Sequence, residues 1–555
     1  MANEQAQTTP DPAASRVGAT DQAAPSSPCG AEIGTGGSAD PRSPKRPLPA
    51  PTTRTTRRTL TLDGEERSYD ATVATLTIDT KKVAPAASVF HADFIALPDG
   101  EHADPSRPVT FLFNGGPGSA TTFLLLGSLG PRRIVTEDPV PPAGAAPATT
   151  APYELIDNPQ TLLPQSDLVF IDAPSTGFSQ MADEAKPELW SVDGDVAAFA
   201  QFIQKWLSAN GRWNSPKYVF GESYGTVRGS ALSYALLEAG IALNGLVLLS
   251  DILDYGHILG SSDQAYIGYL PTYAAIAHHH GRAGGRADLE AHVQEARVFA
   301  DGALRRALSR GDRLAPGDAA AAAERLGELT GLSRDYVLRS DLRVTDPRFR
   351  KELLRDQGQV VGRYDGRVSA YDLDAASDDE TFVADDAFLS PAYAALVNAY
   401  LRDELGWSGT EERRPFADFD WESVEPGKGW TWSHKLPEHT KTMWGTQLTH
   451  PQVIPDLAAA VVRNPRLKVL VANGYFDLAT PFFQTEYDID HLALPAALRA
   501  NIAFTYYRAG HMVYTSPAAL SKLIGDLRRF YEADSAGAMT ALDERPALPP
   551  LGLDA

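Results

Sequence analysis

The sequence predicts an α/β protein: a mostly parallel central sheet flanked by helices, with a helical insertion in the middle of the chain. Three observations carry this. Short apolar runs at 109–113, 167–172, 218–220 and 243–250 read as buried parallel strands. Between the second and third, Val196, Phe199, Phe202, Ile203, Trp206 and Leu207 mark one face of an amphipathic helix. The alternation stops near residue 255 and resumes with the apolar run 467–472.

Residues 1–58 are rich in Pro, Ala, Ser, Thr and Gly and almost free of large hydrophobes. Such a segment buries too little apolar area to offset its ordering entropy, so it is expected to be disordered. Order is expected from Thr59. Residues 59–62 and 69–78 alternate at period two around Asp63-Gly64, a hairpin turn, and 87–97 is a third strand. The first part of the α/β domain then spans 59–255 and the second part 451–534. The insertion at 256–450 is expected to be mainly helical, including a helix over 319–329 behind an Asp318 cap. The Ala- and Pro-rich tail, 535–555, is expected to be loosely held.

The 555 residues carry a net charge of −21, which argues against nucleic-acid and anionic-membrane partners. The single cysteine, Cys29, leaves no intrachain disulfide, and no hydrophobic run precedes it as in a lipid anchor. No segment approaches the ~18 apolar residues of a spanning helix, and the N-terminal region has no secretory-type apolar core. A cytoplasmic location is therefore expected. The oligomeric state is not set by the sequence.

Gly221-Glu222-Ser223-Tyr224-Gly225 follows the run 217–220 and precedes the helical pattern 230–237. A strand, a Gly-x-Ser-x-Gly turn and a helix form a nucleophile elbow, with Ser223 exposed at the turn. An acyl-transfer serine needs a base, an orienting acid and oxyanion donors. Downstream, the strand patterns at 467–472 and 502–507 run into loops carrying Asp477 and His511, in the chain order Ser, Asp, His. The run 109–113 ends in Asn114-Gly115-Gly116-Pro117-Gly118, a turn whose Gly116 N–H is expected to join that of Tyr224 as an oxyanion hole. Gly115 in the same turn is expected to contact the substrate.

Neither a metal nor a cofactor is expected. Adjacent helical residues such as His278-His279-His280 point about 100° apart and do not converge on one ion, and His434 and His439 lack the spacing that shares a helical face. Trp421, Trp430, Trp432 and Trp444 read as core, with a substrate-lining role open for one of them.

The four blocks 114–118, 221–225, 473–477 and 510–513, with the segment 170–179, resemble the serine carboxypeptidase family from about Val109 to Val513. The resemblance implies an α/β-hydrolase fold and a peptide or acyl substrate, with Ser223 as nucleophile, His511 as general base and acid, and Asp477 as its orienting carboxylate. It also implies that Asn114 and a protonated Glu222 bind the C-terminal carboxylate of a peptide, which favours acid pH. An acyltransferase or esterase on the same triad is the alternative. Two positions depart from the family. Ser128 stands where many relatives have an acidic residue that helps keep a proton near Glu222. Ser119 stands where secreted relatives often have a disulfide cysteine, so the insertion is expected to be held by packing alone.

Overall fold

The structure is a computed structural model that describes residues 47–138, 150–258, 262–284, 288–440 and 445–549. Its strands, in chain order, are β1 (Thr53–Leu62), β2 (Glu65–Ile78), β3 (Ala87–Leu97), β4 (Val109–Phe113), β5 (Asp167–Ile171), β6 (Lys217–Glu222), β7 (Gly245–Leu249), β8 (Lys468–Gly474) and β9 (Ile502–Tyr507). They pair in the order β1-β2-β3-β5-β4-β6-β7-β8-β9, and the short strand Gln180–Met181 adds to β3. β1 to β3, and β3 with β5, are antiparallel; every pairing from β5 through β9 is parallel. This is the α/β-hydrolase fold, with the loops after β4, β6, β8 and β9 opening at one edge.

Side chains alternate across the sheet as the period-two geometry requires. Val109, Phe111, Phe113, Val219, Phe504 and Tyr506 belong to one core layer; Leu112, Phe220, Ala503 and Tyr507 belong to the other. The first layer is closed by α1 (Val192–Ala209), through Phe199, Phe202 and Trp206, and by α2 (Tyr224–Glu238), through Val227, Leu232 and Leu236. Helices α3 (Gln264–His279), α4 (Ile454–Arg463) and α5 (Phe482–Asp490) add to it. α6 (Pro517–Glu532) closes the second layer through Leu520, Leu523, Leu527 and Phe530, followed by α7 (Ala536–Leu542). Among the described residues no helix is long and apolar enough to cross a membrane.

Four boundaries differ from the sequence-based expectation. Order starts at β1 from Thr53, not Thr59, and residues 1–46 of the segment expected to be disordered lie outside the described residues. β1 pairs with β2 along its whole length, but its early residues Thr-Arg-Thr-Thr-Arg-Arg are mostly exposed on a sheet edge, so no apolar alternation marks them. The helix expected over 319–329 starts at Pro316, and Asp318 sits in its first turn, not at its cap. The insertion is mainly helical to about Leu405, broken by a small antiparallel hairpin of Gln359–Val361 with Ser369–Tyr371; from there to 433 it runs mainly as loops and bends.

The tail is the fourth. Residues 536–542 form α7, whose start is capped by Ser535, with Met539 and Leu542 buried. The Phe504 N–H donates to Asp543 Oδ1 at 3.0 Å and its carbonyl accepts from the Glu544 N–H at 2.8 Å, tying the tail to β9. Residues 550–555 lie outside the described residues.

The insertion is not held by packing alone. The Arg413 guanidinium is buried 3.3 Å from Asp172 and donates to Thr122 Oγ1 at 2.6 Å. Residues 414–417 lie antiparallel along two chain segments: Arg414 bridges Gly177, and Phe416 bridges Ser119. Around them the Ala120 N–H donates to the Pro415 carbonyl and the Ala417 N–H to that of Gly118, each at 2.8 Å. A charge pair and a short backbone ladder thus stand beside Ser119.

Met539→Ala should lower the unfolding free energy by about 2–5 kcal/mol, the cost of emptying a fully buried methionine site. Urea unfolding measures this, and a change near zero would show that the tail is loose.

Candidate active site

The site begins at the elbow. Ser223 has φ 61° and ψ −130°, a backbone conformation that costs a non-glycine residue about 1–3 kcal/mol and persists only where the surroundings impose it. Those surroundings are the Ser223 N–H donating to the Leu249 carbonyl at 3.0 Å and the Ser223 carbonyl accepting from the Thr226 N–H at 2.8 Å. A Cβ on Gly221 would lie 2.1 Å from the Gly225 carbonyl oxygen, so the turn excludes any side chain there. α2 starts at Tyr224, and the positive end of its dipole lies at the serine.

The turn after β4 presses against this elbow. A Cβ on Gly115 would lie 2.5 Å from the Tyr224 nitrogen and 2.8 Å from Ser223 Cβ. The Gly115-Gly116 backbone, with Gly116 at φ 110°, thereby reaches the first amide of α2. Arg228 supports the approach from below. Fully buried, it donates to both Asp195 oxygens at 2.7 and 3.2 Å and to the Asn114 carbonyl at 2.8 Å. Phe113 and Phe199 flank its guanidinium.

His511 and Asp477 come from the loops after β9 and β8. His511 Nδ1 is 2.8 Å from Asp477 Oδ2. The Asp477 carboxylate also accepts from the Ala479 and Thr480 N–H groups at 2.8 and 3.0 Å and from Thr480 Oγ1 at 2.7 Å. The His511 backbone is held at both ends: its N–H donates to the Tyr364 carbonyl and its carbonyl accepts from Ser250 Oγ, each at 2.5 Å. Burial works against a charged imidazole, but the Asp477 carboxylate, with a smaller pull from Glu222, outweighs it and raises the His511 pKa.

Glu222 is buried beside Ser223. Its Oε2 accepts from Asn114 Nδ2 at 2.8 Å, and the Tyr514 hydroxyl donates to Oε2 at 2.8 Å and Oε1 at 3.1 Å. The Asn114 amide is oriented by the Leu124 N–H, which donates to its Oδ1 at 3.1 Å. Burial pushes the Glu222 pKa up to about 7, against the opposing pull of His511, Tyr514 and Asn114. Ser128 does not take part: its hydroxyl donates back to the Leu124 carbonyl at 2.6 Å. The proton on Glu222 is therefore favoured by desolvation, without a second acid at position 128.

One cleft gathers Asn114, Gly115, Gly116, Glu222, Ser223 and His511, with Asp477 buried behind the histidine and Tyr224 at the start of α2. The residues expected from the sequence as triad, oxyanion donors and substrate contacts are thus brought to one place. Trp421 and Trp432 line the cleft, whereas Trp430 is buried and Trp444 lies outside the described residues. His280 Nε2 lies 2.8 Å from the Gly366 carbonyl, and His434 sits between Asp193 and Asp456 at 2.7 and 3.1 Å. Sequence reasoning missed Tyr514, Arg228 and Arg363. Tyr514 stands three residues after His511 on a 3-10 turn (Val513–Thr515), and its proximity to the histidine was the one available signal.

A strained serine, an imidazole bonded to a buried carboxylate and two facing backbone segments suit nucleophilic acyl transfer. Residues 94–249 match the family model described as serine carboxypeptidase. That match takes in the 114–118 turn and the elbow; Asp477 and His511 lie beyond it. No curated protein sequence matches the chain. Among solved structures, the chain is similar to the prohormone-processing carboxypeptidase Kex1 of Saccharomyces cerevisiae, at 14% identity and a TM-score of 0.48, over 84% of this chain and 91% of that one. It is also similar to VinJ, at 13% identity and a TM-score of 0.34, over 82% and 98%. A proline iminopeptidase of Mycobacterium smegmatis follows, at 14% identity and a TM-score of 0.32, over 88% and 100%.

Glu222 also bears on stability. A carboxyl raised from its usual 4.5 to about 7 keeps its proton in the folded chain where the unfolded chain has lost it. Folding stability then falls as pH rises from 4.5 through 7, by about 3 kcal/mol in all. Glu222→Gln should accordingly gain on wild type by about that amount between pH 4 and pH 8 in urea unfolding. A difference that stays flat would place the proton elsewhere.

Proposed function

On the premise of the serine carboxypeptidase match over residues 94–249, which supports a serine hydrolase, we propose that the chain is a serine-type carboxypeptidase. Ser223 Oγ attacks the carbonyl carbon of the last peptide bond while His511 takes its proton. The Gly116 and Tyr224 N–H groups receive the negative oxygen. The C–N bond then breaks, and the C-terminal amino acid leaves with the proton returned by His511. Water, deprotonated by the same imidazole, attacks the acyl ester and releases the shortened peptide and the serine. Asp477 holds the imidazole in its tautomer and balances its positive charge.

The observation that carries this reading over an esterase or acyltransferase is the buried Glu222 carboxyl adjoining the nucleophile. A neutral acid at that position donates a hydrogen bond, and with the Asn114 amide it suits a carboxylate. An ester without a free carboxylate has no use for such a pair. Glu222 and His511 each influence the other's protonation, so their two proton losses belong to the pair. As pH rises through about 7, Glu222 ionises and repels the substrate carboxylate, so KM for free-acid peptides should rise there.

The test compares blocked peptides with free-acid and amidated C-termini. Free acids should be cleaved at least tenfold faster in kcat/KM, since charged hydrogen bonds are at stake, and Glu222→Gln should flatten the rise of KM near neutrality. A fluorophosphonate should label wild type and not Ser223→Ala. Equal cleavage of acid and amide would overturn the carboxylate clamp, and ester turnover with no peptide release would favour the esterase reading.

A further inference from the structure

The hairpin of the insertion, Gln359–Val361 with Ser369–Tyr371, ends in a tip that reaches the loops bearing Asp477 and His511. The tip, residues 362–368, is closed by the Gly362 N–H, which donates to the Val368 carbonyl at 2.9 Å. Its backbone bonds on both sides of Asp477: the Arg363 carbonyl accepts from the Leu478 N–H at 3.1 Å, and the Gly366 N–H donates to the Phe476 carbonyl at 2.9 Å. Between them the Tyr364 carbonyl accepts from the His511 N–H at 2.5 Å. A Cβ on Gly510 would lie 2.2 Å from that carbonyl oxygen, so the tip is seated directly on the turn of the histidine. Arg367, bound by Asp365 at 2.6 Å, donates to the Arg508 carbonyl at 2.9 Å and extends the seat to the residue after β9.

One side chain holds the tip in this shape. Asp385 is buried, and its carboxylate accepts from the Asp365 N–H at 2.6 Å through Oδ2 and from the Arg363 N–H at 3.3 Å through Oδ1. These two amides flank Tyr364, whose carbonyl meets His511. Glycine at 362 makes room, since a Cβ there would lie 3.0 Å from Asp385 Cγ. The loops after β8 and β9 bond each other's backbone through the Phe476 N–H and the Ala509 carbonyl, 3.1 Å apart. Asp477 and His511 stand just beyond, where the tip takes over. A displacement of about 1 Å among reacting groups can cost roughly a hundredfold in rate, so whatever holds that spacing bears on the chemistry.

We propose that Asp385 is a positioning residue for the triad: it shapes the hairpin tip that fixes Asp477 and His511 against each other. The insertion then takes part in the reaction besides bordering the cleft. This rests on the triad of the proposed function and not on a peptide as its substrate.

The test is the limiting rate constant with which a fluorophosphonate labels Ser223 at pH 8, together with the reagent concentration that gives half of it. Burial pushes the Asp385 pKa up to about 7 against the pull of the Asp365 N–H, so at pH 8 the carboxylate is ionised and both oxygens accept. Asp385→Ala should lower the limiting rate constant by roughly tenfold or more, with the half-saturating concentration unchanged. Asp385→Asn, which keeps one carbonyl acceptor, should fall between the alanine variant and wild type. Leu326→Ala empties a buried site in the helix Pro316–Thr330 of the insertion and should stay within about twofold of wild type. Because a rate constant is read, and not an amount of label, loss of folded protein does not imitate the effect. A rate constant that Asp385→Ala leaves unchanged, or that Leu326→Ala lowers equally, overturns the inference. If the alanine variant does not fold, the near-isosteric Asp385→Asn decides, and wild-type speed in it overturns the inference likewise. A wild type that takes no label overturns the triad and this inference with it. Labelling in the order wild type, Asn, Ala while no peptide is cleaved upholds Asp385 and overturns the carboxypeptidase reading.

Discussion

The buried guanidinium of Arg228 joins three parts of the site that come from separate stretches of chain. It grows from the helix that follows Ser223, is paired to Asp195 on α1, and takes the carbonyl of Asn114 in the turn after β4. Removing one partner of such a pair strands a buried charge, typically at about 3–5 kcal/mol. The pair therefore does more than add stability. It sets how near the 114–116 backbone comes to the first amide of α2, and on that distance the placing of the Gly116 and Tyr224 N–H groups and of the Asn114 side chain depends. Glycine at 115 is the steric condition for the approach, and Arg228 is what holds it.

Electrostatics in the cleft follow from burial more than from any single neighbour. Glu222 is pushed towards its neutral form because water is excluded, even though two donors and an imidazole pull the other way. Ser128 turns away to its own helix, and desolvation is the largest influence on Glu222 without it. His511 shows the opposite balance, since its contact with Asp477 is close enough for attraction to exceed the cost of burial.

Much of this was legible in the sequence where function is written into local chain geometry. The elbow, the 114–118 turn and the loops bearing Asp477 and His511 each end a strand of strongly apolar pattern, and the direction of a parallel strand decides where its loop must lie. What was not legible depends on partners distant in sequence. Arg228 reads as an ordinary helical cation until Asp195 is placed beside it. The Thr- and Arg-rich β1 carries no apolar alternation because it is an exposed edge, and α7 reads as a loose tail because only Met539 and Leu542 anchor it. Arg363 and the strap at 413–417 lie in the insertion, whose polar pattern gave no cue to the side facing the cleft.

The strap carries a thermodynamic consequence. Residues 415–417 exchange backbone hydrogen bonds with 118–120, directly after the turn that presents Gly116. Phe416 of the strap also lines the cleft, so for a ligand that needs the seated strap, occupancy and seating are linked by mass action. A ligand present at a hundred times its dissociation constant would add about 2.7 kcal/mol against release of the strap. The resistance of this part of the insertion to local opening is then a function of substrate concentration: the protein is tightest when fed and easiest to open when starved.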